Sequence, residues 1–277
     1  MLYPTHMRTA VTFGAIASSI MLFKNDPAMS ALTVMGGSIV GGRIPDCDSP
    51  SSIPSKRYPW LSKLDSILGI KHRGHISHGW VFNTLFWLGI WYFLWSYQPL
   101  GENSLTFGFF LAIFGLTFSL NQFYYFLYEY IFSIPYNPAN FIQYLFLDAD
   151  RLTTSAMNGA NYRPKLKPFN KIHSLIVCLI IAVLIAFLYR NNAEQIGADY
   201  FLGIYVGVLS HLFADSLTKA GTGSGKNKIH ILGGFSKYVK TGTNIELWFR
   251  SFFTITAGLG IAIVVMLMIA NIGHGLM

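Results

Sequence analysis

Residues 80–132 read WVFNTLFWLGIWYFLWSYQPLGENSLTFGFFLAIFGLTFSLNQFYYFLYEYIF. Two apolar runs, 80–97 and 105–132, flank a tight link that holds Glu102 and no Lys or Arg. A bilayer core is crossed by about 20 apolar residues in a helix. Inside hydrocarbon the backbone polar groups must be satisfied within the segment itself, so such runs close their hydrogen bonds as helices. The stretch therefore reads as a transmembrane helical hairpin, and it sets the class of the fold.

Outward from the hairpin, the runs 172–189 and 247–272 are equally apolar. The run 200–217 is long enough but contains His211 and Asp215. Two shorter runs come first, 10–23 and 31–42. At about 1.5 Å per residue each covers roughly two-thirds of the hydrocarbon thickness. The second is rich in Gly and Ser, which suits close helix packing. Only 12% of the 277 residues are charged, about half the share of a soluble domain, which excludes disorder and disfavours an ordinary soluble globule. Two cysteines, Cys47 and Cys178, cannot build a disulfide scaffold. The expected fold is all-α: one polytopic, membrane-embedded helical bundle over 1–277, with two short amino-terminal helices and loops at the cytoplasmic face.

The net charge of +8 is not spread evenly. Arg43, Lys56, Arg57, Lys63, Lys71 and Arg73 precede the hairpin, and Arg151, Arg163, Lys165, Lys167 and Lys171 follow it. Lys219, Lys226, Lys228, Lys237 and Lys240 occupy a later loop, whereas the link 190–199 sets Arg190 against Glu194 and Asp199. Lys and Arg collect on the cytoplasmic side of membrane proteins. The three basic loops and the amino terminus are therefore expected in the cytoplasm and the carboxyl terminus outside. Charge sorted in this way reports topology, and no nucleic-acid partner is expected.

Several polar groups interrupt this pattern. Asp46 and Asp48 lie between Pro45 and Pro50, in what reads as a rigid, non-helical turn. They either form a solvated helix stop or offer oxygen ligands to a cation. His72, His75 and His78 fall within seven residues, beside Arg73. This cluster suits metal ligation or an interfacial patch on lipid phosphate. His211 and Asp215 stand one helical turn apart inside an apolar run, where polar groups are costly and mark function. The spacing is HxxxD, not HExxH, which disfavours a zincin-type protease. Glu246 opens the last run and is either a dipole-favoured first-turn residue or a ligand. His6 falls on the same side by the topology argument. Mixed His and carboxylate groups at one face suit zinc, manganese or a cluster of two or three divalent ions. Such a site activates water and polarises a carbonyl or phosphoryl oxygen, so hydrolysis is its natural chemistry.

Thr5-His6, Pro45-Asp46-Cys47-Asp48, His72-Arg73-Gly74 with Ser77-His78, Gly207 with Ser210-His211, then Asp215, Thr218 and Gly221 together resemble the YdjM-like family. These are inner-membrane proteins described as LexA-regulated, metal-dependent hydrolases by inference. The family pattern runs PDxD, HRGxTHS, GxxSHxxxDxxTxxG and a late Glu, matched here by Glu246. The motif order is also similar to that of zinc-dependent phospholipase C. The resemblance implies a bacterial inner-membrane location and a metal site built by His6, Asp46, Asp48, His72, His78, His211, Asp215 and Glu246. Asp48 or Glu246 is expected as general base, Arg73 as the phosphate-binding group, and a membrane lipid or lipid-linked ester as substrate. His75 is expected beside the ligands. This chain departs from the pattern at Ser77, Gly79 and Lys219. Residues 133–171 form a basic, proline-bearing cytoplasmic insertion, expected either to act as a lid or docking arm for a protein partner or to be a disordered family-specific loop. Two other classes stay open: a metal-ion or proton transporter, and a scaffold in a membrane assembly.

Overall fold

The computed structural model describes residues 3–49, 75–96, 107–127, 171–218 and 244–275, with positions 52, 55, 63, 67, 221, 229, 230 and 239. Among these residues the chain forms eight α-helices and no strand. They are α1 (Tyr3–Phe23), α2 (Ala28–Gly41), α3 (His75–His78), α4 (Trp80–Ser96), α5 (Phe107–Leu127), α6 (Lys171–Leu188), α7 (Ala193–Ser216) and α8 (Asn244–Gly275). Short 3₁₀ turns cover Pro45–Asp48 and Arg190–Asn192.

Three segments are long and apolar enough to cross a membrane: Phe107–Tyr124, Arg190–Ser216 and Trp248–Asn271. The apolar helix Ile172–Leu188 is shorter. Ile180, Leu184 and Phe187 of α6 and Leu259, Met266 and Ile269 of α8 point outward and are exposed. An apolar exterior over buried polar groups is the arrangement a helical membrane bundle requires.

Three expectations change in detail. The first short run is in fact the end of a helix of 21 residues, about 31 Å long, close to the thickness of a bilayer core. Its polar amino-terminal half continues the helix because those side chains face the interior. Thr9 Oγ1 donates to Thr5 O and Thr12 Oγ1 to Arg8 O, each at 2.9 Å, and His6 and Arg8 are buried. The link 190–199 is likewise mostly helix. It contains the start of α7 and buries Asp199. Finally, Asp46 and Asp48 lie in a 3₁₀ turn rather than a non-helical one. Pro45 stands at its first position, where a missing N–H costs nothing and a fixed φ is already helical.

α7 is the central helix, packed on α1, α2, α4 and α5. Its contact with α2 is backbone on backbone. Gly37 and Gly41 of α2 face Gly203 and Gly207 of α7, both pairs spaced GxxxG. A Cβ on Gly41 would stand 2.1 Å from Ile204 O, and one on Gly207 would stand 2.1 Å from Ser38 O. Only glycine permits this approach, the usual device for close helix packing in membranes. Thr5 of α1 meets Glu246 of α8 at one end, and Asn271 of α8 reaches Leu22 O of α1 at the other, so these two helices run parallel. The consequence is topological. The start of α1, the end of α2, the starts of α4 and α8 and the end of α7 all meet at one end of the bundle.

Candidate metal centre

α7 delivers two groups to that end. His211 and Asp215 share one face, with His211 Nε2 3.6 Å from Asp215 Oδ2. Gly42, just past the end of α2, accepts a hydrogen bond from His211 Nδ1 at 2.9 Å. A carbonyl can only accept, so Nδ1 carries the proton and Nε2 turns its lone pair inward. The α2–α7 glycine contact is what brings Gly42 O within reach.

Around Nε2 stand groups from three other segments. His6 of α1 stacks on the His211 ring, with centroids 3.8 Å apart and planes 10° from parallel. Its Nε2 lies 3.4 Å from Asp215 Oδ1. The 3₁₀ turn places Asp46 Oδ1 3.7 Å from His211 Nε2. His78, at the end of α3, lies 3.5 Å through Nε2 from Asp215 Oδ2 and 3.5 Å through Nδ1 from Asp48 Oδ2. Among the described residues two overlapping triplets have metal-ligand spacing: His6, His211 and Asp215, and Asp46, His78 and His211.

These distances suit an ion better than they suit hydrogen bonds. N···O separations of 3.5 Å and more exceed a good hydrogen bond. Ligand atoms 2.0–2.1 Å from a tetrahedral ion stand about 3.4 Å apart. His211 Nε2 and His6 Nδ1 are buried and make no hydrogen bond among the described residues. Six titratable groups converge. Only Asp46 is appreciably open, its side chain 23% exposed against 2% or less for those of His6, His78, His211, Asp48 and Asp215. Burial works against ionisation of Asp46, but the neighbouring His211, His6 and His78 charges outweigh it and hold the carboxyl below its usual value.

The other expected residues sort as follows. Asp48 is buried against His78 and belongs to neither triplet. Glu246 is fully buried in the first turn of α8, where Thr5 Oγ1, beside His6, donates to its Oε1 at 3.4 Å; it too lies outside both triplets. His72 and Arg73 lie outside the described residues, as do the 133–170 part of the insertion and the side chain of His75.

Three contacts were not anticipated from sequence. The Gly42 carbonyl is one, and only tertiary packing reveals it. Asn83 of α4 is another; its signal was a polar amide in an apolar run. The third concerns Thr218 and Gly221, two residues of the family pattern without an evident role. His230 Nδ1 donates to Thr218 O at 3.2 Å, and a Cβ on Gly221, which has φ +65°, would stand 2.6 Å from the His230 ring. Together they seat His230 just beyond the end of α7.

The YdjM inner membrane protein family matches residues 1–124 and 170–273. The chain belongs to this family. Its described metal-spaced groups all fall within the segments that match YdjM, and the unmatched stretch is most of the insertion. No curated protein and no solved structure matches the chain.

Proposed function

We propose that this YdjM-family chain is a membrane-bound, metal-dependent hydrolase acting on a phosphoester or ester of a membrane-borne substrate. One observation carries the reading. Three imidazoles and three carboxylates from four separate segments meet at one end of the bundle. Three carboxylates gathered in a largely buried pocket carry a charge that is costly without cations. Two divalent ions would neutralise it and leave a slight positive excess for an anionic substrate.

His6, His78, His211, Asp46 and Asp215 are the proposed ligands. Zinc is the expected ion, with manganese as the alternative suited to the same donors. Because Nδ1 of His211 is committed to Gly42, His211 serves one ion only. Asp215 turns Oδ1 to His6 and Oδ2 to His78 and His211, so either oxygen could serve as a ligand. When bound, the ions would activate water and polarise the scissile centre. Asp46 stands where the pocket opens and is placed to meet what enters. Asp48 orients His78 through Nδ1 in this reading, and Glu246 or Asp48 remains the proposed proton acceptor. His72 would add a ligand and Arg73 would hold the substrate phosphate; both precede α3 in the chain. The basic loops support a cytoplasmic location for this end of the bundle, where lipid head groups would reach it laterally. Residues 133–171 would form a lid or partner-docking arm.

The test is metal analysis of protein purified without chelating tags, together with release of phosphate or head group from extracted lipid. Close to two ions per chain, and metal-dependent release abolished by Asp215→Ala, are expected. Stoichiometry near zero, unchanged by His211→Ala, sinks the reading.

One observation favours the transporter alternative. Asp199 is buried in α7, 12 residues before His211 and so about 18 Å from it along the helix. Trp91 Nε1 donates to its Oδ1 at 3.4 Å, and the Ser30 side chain stands beside it. A buried carboxylate at membrane depth is a candidate station on a cation path. Zinc-dependent proton or metal flux into proteoliposomes, lost in Asp199→Asn, would decide for it.

A further inference from the structure

α4 carries aromatic and aliphatic side chains along most of its 17 residues, yet its one buried residue is polar: Asn83. Asn83 Nδ2 stands 3.0 Å from Ile76 O, 3.4 Å from Ser77 O and 2.9 Å from Gly79 O. Its backbone N–H also donates to Gly79 O, at 3.1 Å. The three acceptors bracket His78.

These carbonyls have a reason to need Asn83. α3 is a single turn of four residues. Nucleating one helical turn fixes several dihedrals for one hydrogen bond and is unfavourable by itself. The last carbonyls of any helix also lack partners within it. Asn83, one turn into α4, supplies both a donor for those carbonyls and an anchor for the turn. Its two amide hydrogens are shared among three acceptors, so the turn is held from one point. The turn then fixes His78, whose Nδ1 lies 3.1 Å from Ser77 Oγ and whose Nε2 faces Asp215 at 3.5 Å.

We infer that Asn83 is a positioning residue of the metal centre: it holds the 76–79 backbone so that His78 Nε2 is aimed at the ligand cluster before an ion binds. The inference rests on the metal reading above. Among the described residues Asn83 donates to backbone carbonyls and to no ligand atom, so its effect runs through His78.

The experiment measures zinc affinity of the full chain in lipid nanodiscs by competition with a chromogenic chelator. Asn83→Asp keeps the shape but removes the donor and sets a negative charge against three carbonyls. A loss of about 10- to 100-fold is expected, the range for groups that orient metal ligands. Asn83→Ala serves the same purpose should the Asp variant fail to fold. The deciding comparison is the double variant Asn83→Asp with His78→Ala. Because Asn83 acts through His78, the double variant should bind no more weakly than His78→Ala alone. Asn121→Ala removes a polar tie between α5 and α6, where Asn121 Nδ2 meets Ser174 Oγ at 3.1 Å. It should lower thermal stability and leave zinc affinity unchanged. Wild-type affinity in Asn83→Asp, or a loss that adds in full to that of His78→Ala, overturns the assignment of Asn83 alone. Absence of zinc binding by the wild-type chain overturns the metal reading, and this assignment falls with it.

Discussion

His211 donates through Nδ1 to Gly42 O, and this single backbone contact presents Nε2 to the pocket as a ligand. The same residue stacks on His6 and faces Asp46 and Asp215, so its protonation state is central to the site. A metal ligand must be neutral imidazole, and protons therefore compete with the ion. Asp46 does not share this competition near neutrality, because its carboxyl is held below its usual value. Its ionised form persists as the pH falls through the histidine range near 6.5. Zinc affinity is accordingly predicted to fall between pH 7.5 and 5.5, with release of bound zinc governed by imidazole protonation. Chelator competition at a series of pH values checks this. An affinity flat down to about pH 5 would count against His211 as a ligand.

At the scale of elements, the contact between α2 and α7 decides whether the site exists. Gly207→Ala would set a Cβ 2.1 Å from Ser38 O and 2.7 Å from Gly42 N. Both are backbone atoms and cannot swing aside, so the helices must part. Overpacking of this kind typically costs about 1–3 kcal/mol. The variant is predicted to lose thermal stability and, because Gly42 O moves away from His211, to bind zinc more weakly as well. Gly89→Ala is the control, since a Cβ there meets nothing within 4 Å. Thermal unfolding in detergent and zinc affinity, measured on both variants, separate the outcomes. Equal behaviour of the two would show that the glycine contact does not carry the site.

For the molecule as a whole, the useful division is between matched and unmatched sequence. Residues 1–124 and 170–273 match the YdjM family, and His6, Asp46, Asp48, His78, His211, Asp215 and Glu246 all fall within them. The seven residues gathered or expected at the cluster lie outside the stretch between, which falls almost wholly outside the described residues. Deleting residues 139–168 is therefore predicted to leave zinc content unchanged while altering turnover or partner binding. Metal analysis of the deletion variant checks it. Loss of the metal would place Asp148 or Asp150 in the site and revise the ligand set.

Composition and patterning alone determined that this chain is a helical membrane bundle. Runs such as 105–132 can satisfy their backbone in hydrocarbon only as helices, so class follows from local chemistry. The HxxxD pair was legible too, because a period of 3.6 residues puts His211 and Asp215 on one face wherever the helix goes. The extent of α1 was not legible. Thr5, His6 and Arg8 read as polar sequence outside a short apolar run, and only an interior able to take them makes them helix. Asn83 and the Gly42 carbonyl were hidden for a related reason. Their roles are contacts between segments far apart in the chain, set by how closely glycine-faced helices approach. Which of the eight expected ligands meet was likewise a tertiary matter. Helix ends brought together by packing unite His6, Asp46, His78, His211 and Asp215, while burial against Thr5 sets Glu246 apart from the metal-spaced groups.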